Sequence, residues 1–278
     1  MTEIGKLYLV ATPIGNLEDM SIRGLNTLKE ADIIAAEDTR VSGKLLSHFG
    51  ISKRLISYYE HNKKSRQDIL LRLLREGNNI ALISDAGTPA ISDPGADIAA
   101  AAIAEGIPVI AIPGASAVLT VLAASGRSTS AFCFEGFLPR EKKERRLKLE
   151  QLAQEKRTLV LYEAPHRLKQ TLTDLAAYFG AERGMSIGRE LTKLHEEMLY
   201  GTIAEMQAHF ETVEPRGEFA LVIEGCPELM PEPLDMKKVA QEFLQMLADG
   251  YSRKDAAKVL AAKYDCKAKQ IYEIGLKD

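Results

Sequence analysis

Short apolar runs alternate with helical patterns through the first 137 residues, and no other feature narrows the fold as much. Lys6–Ala11 reads as a strand, and Ser21 then caps a helix running to Ala31. Ile33–Ala36 is a second strand, followed by a helical Ser42–Phe49, an extended Leu55–Ser57 and a helical Ser65–Arg75. Ile80–Ile83 and Pro108–Ile112 are strands on either side of a helix at Asp93–Glu105. This alternation is the pattern of a doubly wound parallel sheet, and near-continuous apolar strands suit a sheet covered on both faces.

The remainder divides at two composition breaks. Leu138–Lys148 carries six basic residues against two acidic ones and reads as a linker. A second α/β block follows, with strands at Thr158–Tyr162 and Phe219–Glu224, helices at Pro165–Phe179 and Ile203–Phe210, and an extended Met185–Gly188. Three prolines fall between Pro227 and Pro233, and beyond them the chain reads as helical: Met236–Ala248, a Ser252-capped Lys254–Lys263, and Lys267–Gly275, spaced like a helix-turn-helix. Domains typically hold about 100–200 residues. The expected division is therefore an α/β domain at 1–137, a second at 138–228 with the basic entry segment, and a small helical unit at 229–278.

Residues 106–126 carry no charge and are long enough to suggest a membrane span. Pro108, Pro113 and Gly114 break a helix there, so the stretch reads as a buried strand, a turn and a buried helix from Ala117 to Ser125. No membrane association is expected. Glu3, with no long apolar run after it, argues against a secretory leader. Cys133, Cys226 and Cys266 lie far apart and show no metal-ligand spacing, so neither a disulfide frame nor a metal site is expected, and the location expected is the cytoplasm. The formal charge of −3 hides a polarity. The 138–148 segment and residues 251–277 each carry a local excess of four positive charges, over a body that is strongly acidic.

Three glycine-containing loops follow strands, where ligands bind in open α/β sheets. They are Thr12-Pro13-Ile14-Gly15-Asn16, Ser84-Asp85-Ala86-Gly87-Thr88-Pro89 and Pro113-Gly114-Ala115-Ser116-Ala117. Neither a GxGxxG fingerprint nor a GxxxxGK[ST] loop occurs, so dinucleotide-dependent and kinase-like readings lose their main support. Polar clusters lie in matching places: Glu37-Asp38-Thr39-Arg40, Glu163-Ala164-Pro165-His166-Arg167 and Gly188-Arg189-Glu190-Leu191-Thr192-Lys193.

Taken together, VATPIGNLEDMS, AEDTR, SDAGTPAISDPG, PGASA, FEGFLPR, LYEAPHR, GRELTK and GEFALVIEG resemble the tetrapyrrole-methylase-like superfamily of S-adenosylmethionine methyltransferases, which has the class III methyltransferase fold. Within it the chain is similar to the small-subunit (16S) ribosomal RNA 2′-O-methyltransferase family, which modifies a decoding-centre cytidine. The resemblance implies two α/β domains with the cofactor S-adenosylmethionine between them, a homodimer, and ribosomal RNA or the small ribosomal subunit as partner. By motif it implies cofactor contacts from Pro13, Gly15, Asp85, Ala86, Gly87, Ser116 and Ala117. From the second block it implies Glu163, Ala164, Leu191, Ala220 and Leu221. ATPIGN lacks the first glycines of the GxGPG loop of the tetrapyrrole enzymes, which argues against a porphyrinoid substrate.

Methyl transfer to a ribose hydroxyl demands alignment, exclusion of water, and a base or orienting charge. Lys193 is the first candidate base, as an amine kept neutral by burial beside a sulfonium. Asp38 is the second, as base or ribose ligand. Arg40 and Arg167 are candidates to grip phosphates, with His166 as a further ribose or base contact. Lys63, Lys64 and Arg66, with Arg140, Lys142, Lys143, Arg145 and Arg146, are candidates for electrostatic contact with RNA. Two other readings stay open. A tetrapyrrole methyltransferase would act without RNA, and a non-catalytic RNA-binding module would not bind the cofactor.

Overall fold

A computed structural model describes residues 3–59, 62–227, 236–264 and 266–274. Residues 1–226 form one compact unit and residues 227–278 another. The proline-rich stretch beyond Pro227 and the end of the last helix at Gly275 lie outside the described residues.

The first sheet is wholly parallel. Its strands are β1 (Leu7–Val10), β2 (Ile33–Ala36), β3 (Arg54–Ser57), β4 (Ile80–Ile83) and β5 (Val109–Ile112), in the order β3-β2-β4-β1-β5. Side chains alternate between two buried faces. Ile33, Ala35, Ile80 and Leu82 pack with Leu70, Leu74 and Ile98 of α3 (Lys63–Arg75) and α4 (Ala96–Ala104). Ile34, Ala36, Ala81 and Ile83 pack with Leu28 of α1 (Ile22–Glu30) and Leu46 of α2 (Thr39–His48). Each Leu or Ile fully buried in this way contributes about 1.5–3 kcal/mol, which is why both faces of this sheet read as apolar. Helix α4 starts three residues later than expected, because Gly95 enters it at φ +143°.

The uncharged stretch forms β5, a turn and α5 (Ala117–Ala124). Among the described residues no helix is long and apolar enough to cross a membrane. Val118, Val121 and Leu122 of α5 pack with Val160, Ala220 and Val222 of a second sheet, so α5 links the two halves of the unit.

The second sheet is mixed. It holds β6 (Phe132–Phe137), β7 (Thr158–Glu163), β8 (Gly184–Arg189), β9 (Glu197–Thr202) and β10 (Phe219–Ile223), in the order β6-β7-β10-β8-β9. Only β6 and β7 run parallel; the other pairs are antiparallel. Its second face is covered by α6 (Lys142–Leu152), α7 (Pro165–Phe179) and α8 (Ile203–Thr212), the last begun by a Thr202–Glu205 capping box.

The basic segment is a helix rather than a linker. Lys, Arg, Glu and Leu are strong helix formers, and Leu149 and Leu152 give α6 a buried side. Strand β6, ahead of that segment, already belongs to the second sheet. The C-terminal unit holds α9 (Met236–Ala248), α10 (Arg253–Lys263) and α11 (Ala268–Ile274), with Val239, Phe243, Leu260 and Ile271 in a core of their own. No disulfide joins Cys133, Cys226 or Cys266.

Candidate active site

The three loops beyond β1, β4 and β5 are tied into one platform. Thr12 and Gly87 exchange backbone hydrogen bonds of 2.9 and 3.0 Å, and the Thr12 hydroxyl donates to the Ser84 carbonyl at 3.1 Å. The Thr88 hydroxyl donates to the Ala115 carbonyl at 3.2 Å. The first loop also meets the second sheet. A Cβ on Gly15 would stand 2.3 Å from Lys193 Cγ, so only glycine allows this approach.

Between the platform and the second sheet lies a cleft of about 530 Å³, within the usual range of about 300–1,000 Å³ for ligand sites. Two bordering loops are strained. Ala90 and Ser92 take φ of 70° and 63°, and Glu190 and Thr192 take 50° and 65°. Such conformations in residues other than glycine cost about 1–3 kcal/mol each and cluster at functional sites.

From the first half, Ala86, Gly87, Ser116 and Ala117 line the cleft as expected. From the second, Glu163, Ala164, His166, Leu191 and Ala220 line it. Pro13, Gly15 and Asp85 do not; Ile14 faces the cleft from the first loop, and Asp85 accepts a hydrogen bond from the Asp38 backbone at 3.0 Å. Leu221 is a correction. It alternates with Ala220 along β10 and is buried in the core under α7 and α8.

Several catalytic candidates are also corrected. Lys193 is not a neutral amine. Burial pulls its pKa down, but hydrogen bonds of 2.9 Å to both Glu190 and Glu218 outweigh that and hold the ammonium above its usual range. Asp38 caps α2 and binds Arg40 at 2.6 Å; its hydrogen bonds from the Arg40 side chain and backbone lower its pKa to about 2, so it is a poor proton acceptor. Arg40, its side chain 87% exposed, stands outside the cleft lining. Arg167 is held inside the fold, donating to the Leu138 carbonyl at 2.7 Å and approaching Glu163 at 3.4 Å.

Of the candidates for RNA contact, Arg145 is likewise internal. Its side chain is 12% exposed and binds Asp174 at 2.6 Å and Thr171 at 2.9 Å. Lys63 pairs with Asp97 at 2.7 Å. Arg140, Lys142, Lys143 and Arg146 remain exposed.

The lining holds three carboxylates, Asp93, Glu163 and Glu218, and among the described residues no lysine or arginine. Burial, opposed by a Ser84 hydrogen bond, pushes Asp93 above the ordinary aspartate range. Burial and the nearby Asp93 and Asp85 raise Glu37 likewise. Glu163 is fully buried, accepting from Thr171 at 2.5 Å. Arg167 approaches Glu163 and Lys193 binds Glu218. Asp93 is thus the lining carboxylate that no lysine or arginine pairs with among the described residues, and it is the group that disfavours a polyphosphate and favours a cationic ligand. Ile14, Ala117, Leu191 and Ala220 supply an apolar wall for its uncharged part. Gly188 leaves room, since a Cβ there would come within 2.9 Å of Leu191 and Val121.

Asp93, Phe137, Tyr162 and Glu218 were missed from sequence. Asp93 stands in the same loop as Asp85, in the SDPG that reads locally as a helix start. The carboxylates Asp93 and Glu218 come together only when the two sheets do.

Residues 6–207 match the family model for Tetrapyrrole (Corrin/Porphyrin) Methylases. The chain is 48% identical to ribosomal RNA small subunit methyltransferase I of Synechocystis sp., covering 98% of each. It is 50% identical to the protein of that name from Halalkalibacterium halodurans, covering 97% of this chain and 94% of the relative. Among solved structures, cobalt precorrin-4 methyltransferase aligns with a TM-score of 0.59 at 19% identity, over 79% of this chain and 94% of that one. Uroporphyrin-III C-methyltransferase of Thermus thermophilus, solved with S-adenosyl homocysteine, aligns at 0.56 and 17%, over 78% and 97%. These two likenesses concern the fold.

Proposed function

The chain belongs to the family of tetrapyrrole (corrin/porphyrin) methylases; from its ribosomal RNA methyltransferase relatives and the loops it shares with the 2′-O-methyltransferase family, we propose that it methylates the 2′-hydroxyl of a cytidine ribose in small-subunit ribosomal RNA, at the decoding centre. That it is a ribosomal RNA methyltransferase rests on relatives matched over nearly their full length. S-adenosylmethionine is its cofactor, and it supplies a methyl group on a positively charged sulfonium. The structural observation that supports the methyl-donor half of this reading is the cleft itself, with three carboxylates and, among the described residues, no lysine or arginine in its lining.

In this reading Asp93, helped by Glu218, holds the cationic cofactor, the buried Glu163 braces the wall behind it through Thr171 and Arg167, and Ile14, Leu191 and Ala220 exclude water beside it. Ala86, Gly87, Ser116, Ala117 and Ala164 shape the cradle; Pro13, Gly15 and Asp85 support its loops. His166, in the first turn of α7, is the proton acceptor for the ribose hydroxyl. Lys193, an ammonium, holds Glu190 and Glu218 and thereby one wall. The two sheets act as two domains of a cytoplasmic homodimer, with the C-terminal helices as a third part.

Arg140, Lys142, Lys143 and Arg146 are assigned to the RNA backbone. Neutralising all four is expected to weaken RNA binding and to flatten its salt dependence. With single strands each lost phosphate contact lowers the slope of log K against log salt by about 0.7, hence at most about 3 in all. Cofactor affinity should not change. Equal RNA affinity of variant and parent at low and high salt would contradict the assignment.

Transfer of labelled methyl to unmodified small subunits tests the function. Labelling of small-subunit RNA is expected; labelling of a tetrapyrrole instead, or of nothing, would overturn it.

A further inference from the structure

Strand β6 carries an irregularity at the cleft. Along a regular strand, side chains alternate between the two faces. Cys133 packs toward the core beneath α6–α8, and Phe134 toward the cleft-side cluster. Continued without a break, that alternation would send Phe137 to the side of Cys133. The pairing slips instead. Phe134 stands opposite Val160, yet Gly136 stands opposite Leu161 and Phe137 opposite Tyr162.

Glu135 is the extra residue, and Gly136 takes φ +64°. A bulge of this kind re-aims the side chains that follow it. Val160 and Tyr162 belong to the cleft-side cluster, so Phe137 now shares their face. Its ring lies 5.7 Å from that of Tyr162, which Phe134 meets at 4.9 Å.

Phe137 lines the cleft and yet remains 54% exposed. The fold therefore turns a large aromatic ring toward the cleft and leaves it uncovered. Three to six residues farther on, Arg140, Lys142 and Lys143 are exposed cations. An open aromatic face followed within a few residues by exposed cations is the combination by which unstacked nucleotides are bound: base on ring, phosphates on the cations.

We propose that Phe137 is the surface on which the base of the target nucleotide stacks when its ribose enters the cleft. The proposal rests on the ribosomal RNA methyltransferase reading. Stacking on a ring tolerates any base, so Phe137 holds the nucleotide without selecting it. The cationic cofactor belongs to the carboxylates, and Phe137 contributes nothing to its binding.

The test uses the full-length chain, unmodified small ribosomal subunits and labelled S-adenosylmethionine. Phe137→Ala and Phe137→Leu should each lower kcat/KM for the subunit by about 5- to 150-fold, the range measured for losing one base–aromatic stack. Phe137→Tyr should stay within about threefold of the parent, because the ring face is kept. Calorimetry should give all three variants the parent's affinity for S-adenosylmethionine. Activity of Phe137→Leu equal to the parent would overturn the proposal, since apolar bulk would then suffice. So would full activity of Phe137→Ala, or a loss of cofactor affinity in step with the loss of activity. If the parent protein labels no ribosomal RNA, the underlying function falls and the proposal with it; if the parent labels and the variants match it, only the proposal falls.

Discussion

Asp93→Asn is expected to weaken S-adenosylmethionine binding by roughly 10- to 100-fold, with S-adenosyl homocysteine affected much less. The two ligands differ by the sulfonium charge, and Asp93 is a cleft carboxylate whose pKa burial raises. Unit charges about 4 Å apart at an effective dielectric near 20 attract by about 4 kcal/mol. The open cleft and the remaining Glu163 and Glu218 reduce the loss to about 1.4–2.7 kcal/mol. The same carboxylate sets a pH dependence. Cofactor affinity should fall as pH drops through the raised pKa of Asp93, and binding there should release protons. An ionised Asp93 destabilises the fold at pH above the ordinary aspartate value, so Asp93→Asn should leave thermal stability unchanged or higher. Calorimetry with both ligands reads the effect; equal losses for the two would show that charge is not what Asp93 supplies.

His166→Gln is expected to act on the other kinetic parameter. General-base catalysis contributes about 10²–10⁴-fold, so kcat on small subunits should fall by that order while cofactor affinity stays unchanged. Among the cleft's proton acceptors, Glu163 is tied to Thr171 and Glu218 to Lys193. With Asp93 assigned to the cofactor's charge in the proposed function, His166 in the first turn of α7 is the acceptor that is left. The loss should be smaller at higher pH, where hydroxide ions assist. Unchanged kcat in rapid single-turnover mixing would remove His166 from proton transfer and send the proton to solvent.

The loops were more legible in the sequence than the side chains that work between them. The loops that carry Ala86, Gly87, Ser116 and Ala117 could be read because each follows a buried strand in a glycine- or serine-bearing turn, where the open sheet leaves backbone groups for a ligand; the residues within them came from the resemblance to the methylase family. Leu221 was misread because motif proximity ignores the alternation that turns Ala220 to the cleft and Leu221 to the core. Lys193 and Asp38 have the right chemistry in isolation. Their pairing with Glu190, Glu218 and Arg40 is set by backbone turns that a residue pattern does not display. Strand β6 escaped notice for a related reason: the bulge at Gly136 breaks the alternation by which strands are recognised, and the same break delivers Phe137 to the cleft.

Ribose methylation has a chemical signature that base methylation lacks. A 2′-O-methyl group removes the hydroxyl that attacks the neighbouring phosphodiester in alkali. Small-subunit RNA labelled by this protein and S-adenosylmethionine should therefore yield, after complete alkaline hydrolysis, its label in an alkali-stable dinucleotide with a 2′-O-methylcytidine at its 5′ side. Label recovered in a mononucleotide would place the methyl on the base and contradict the account.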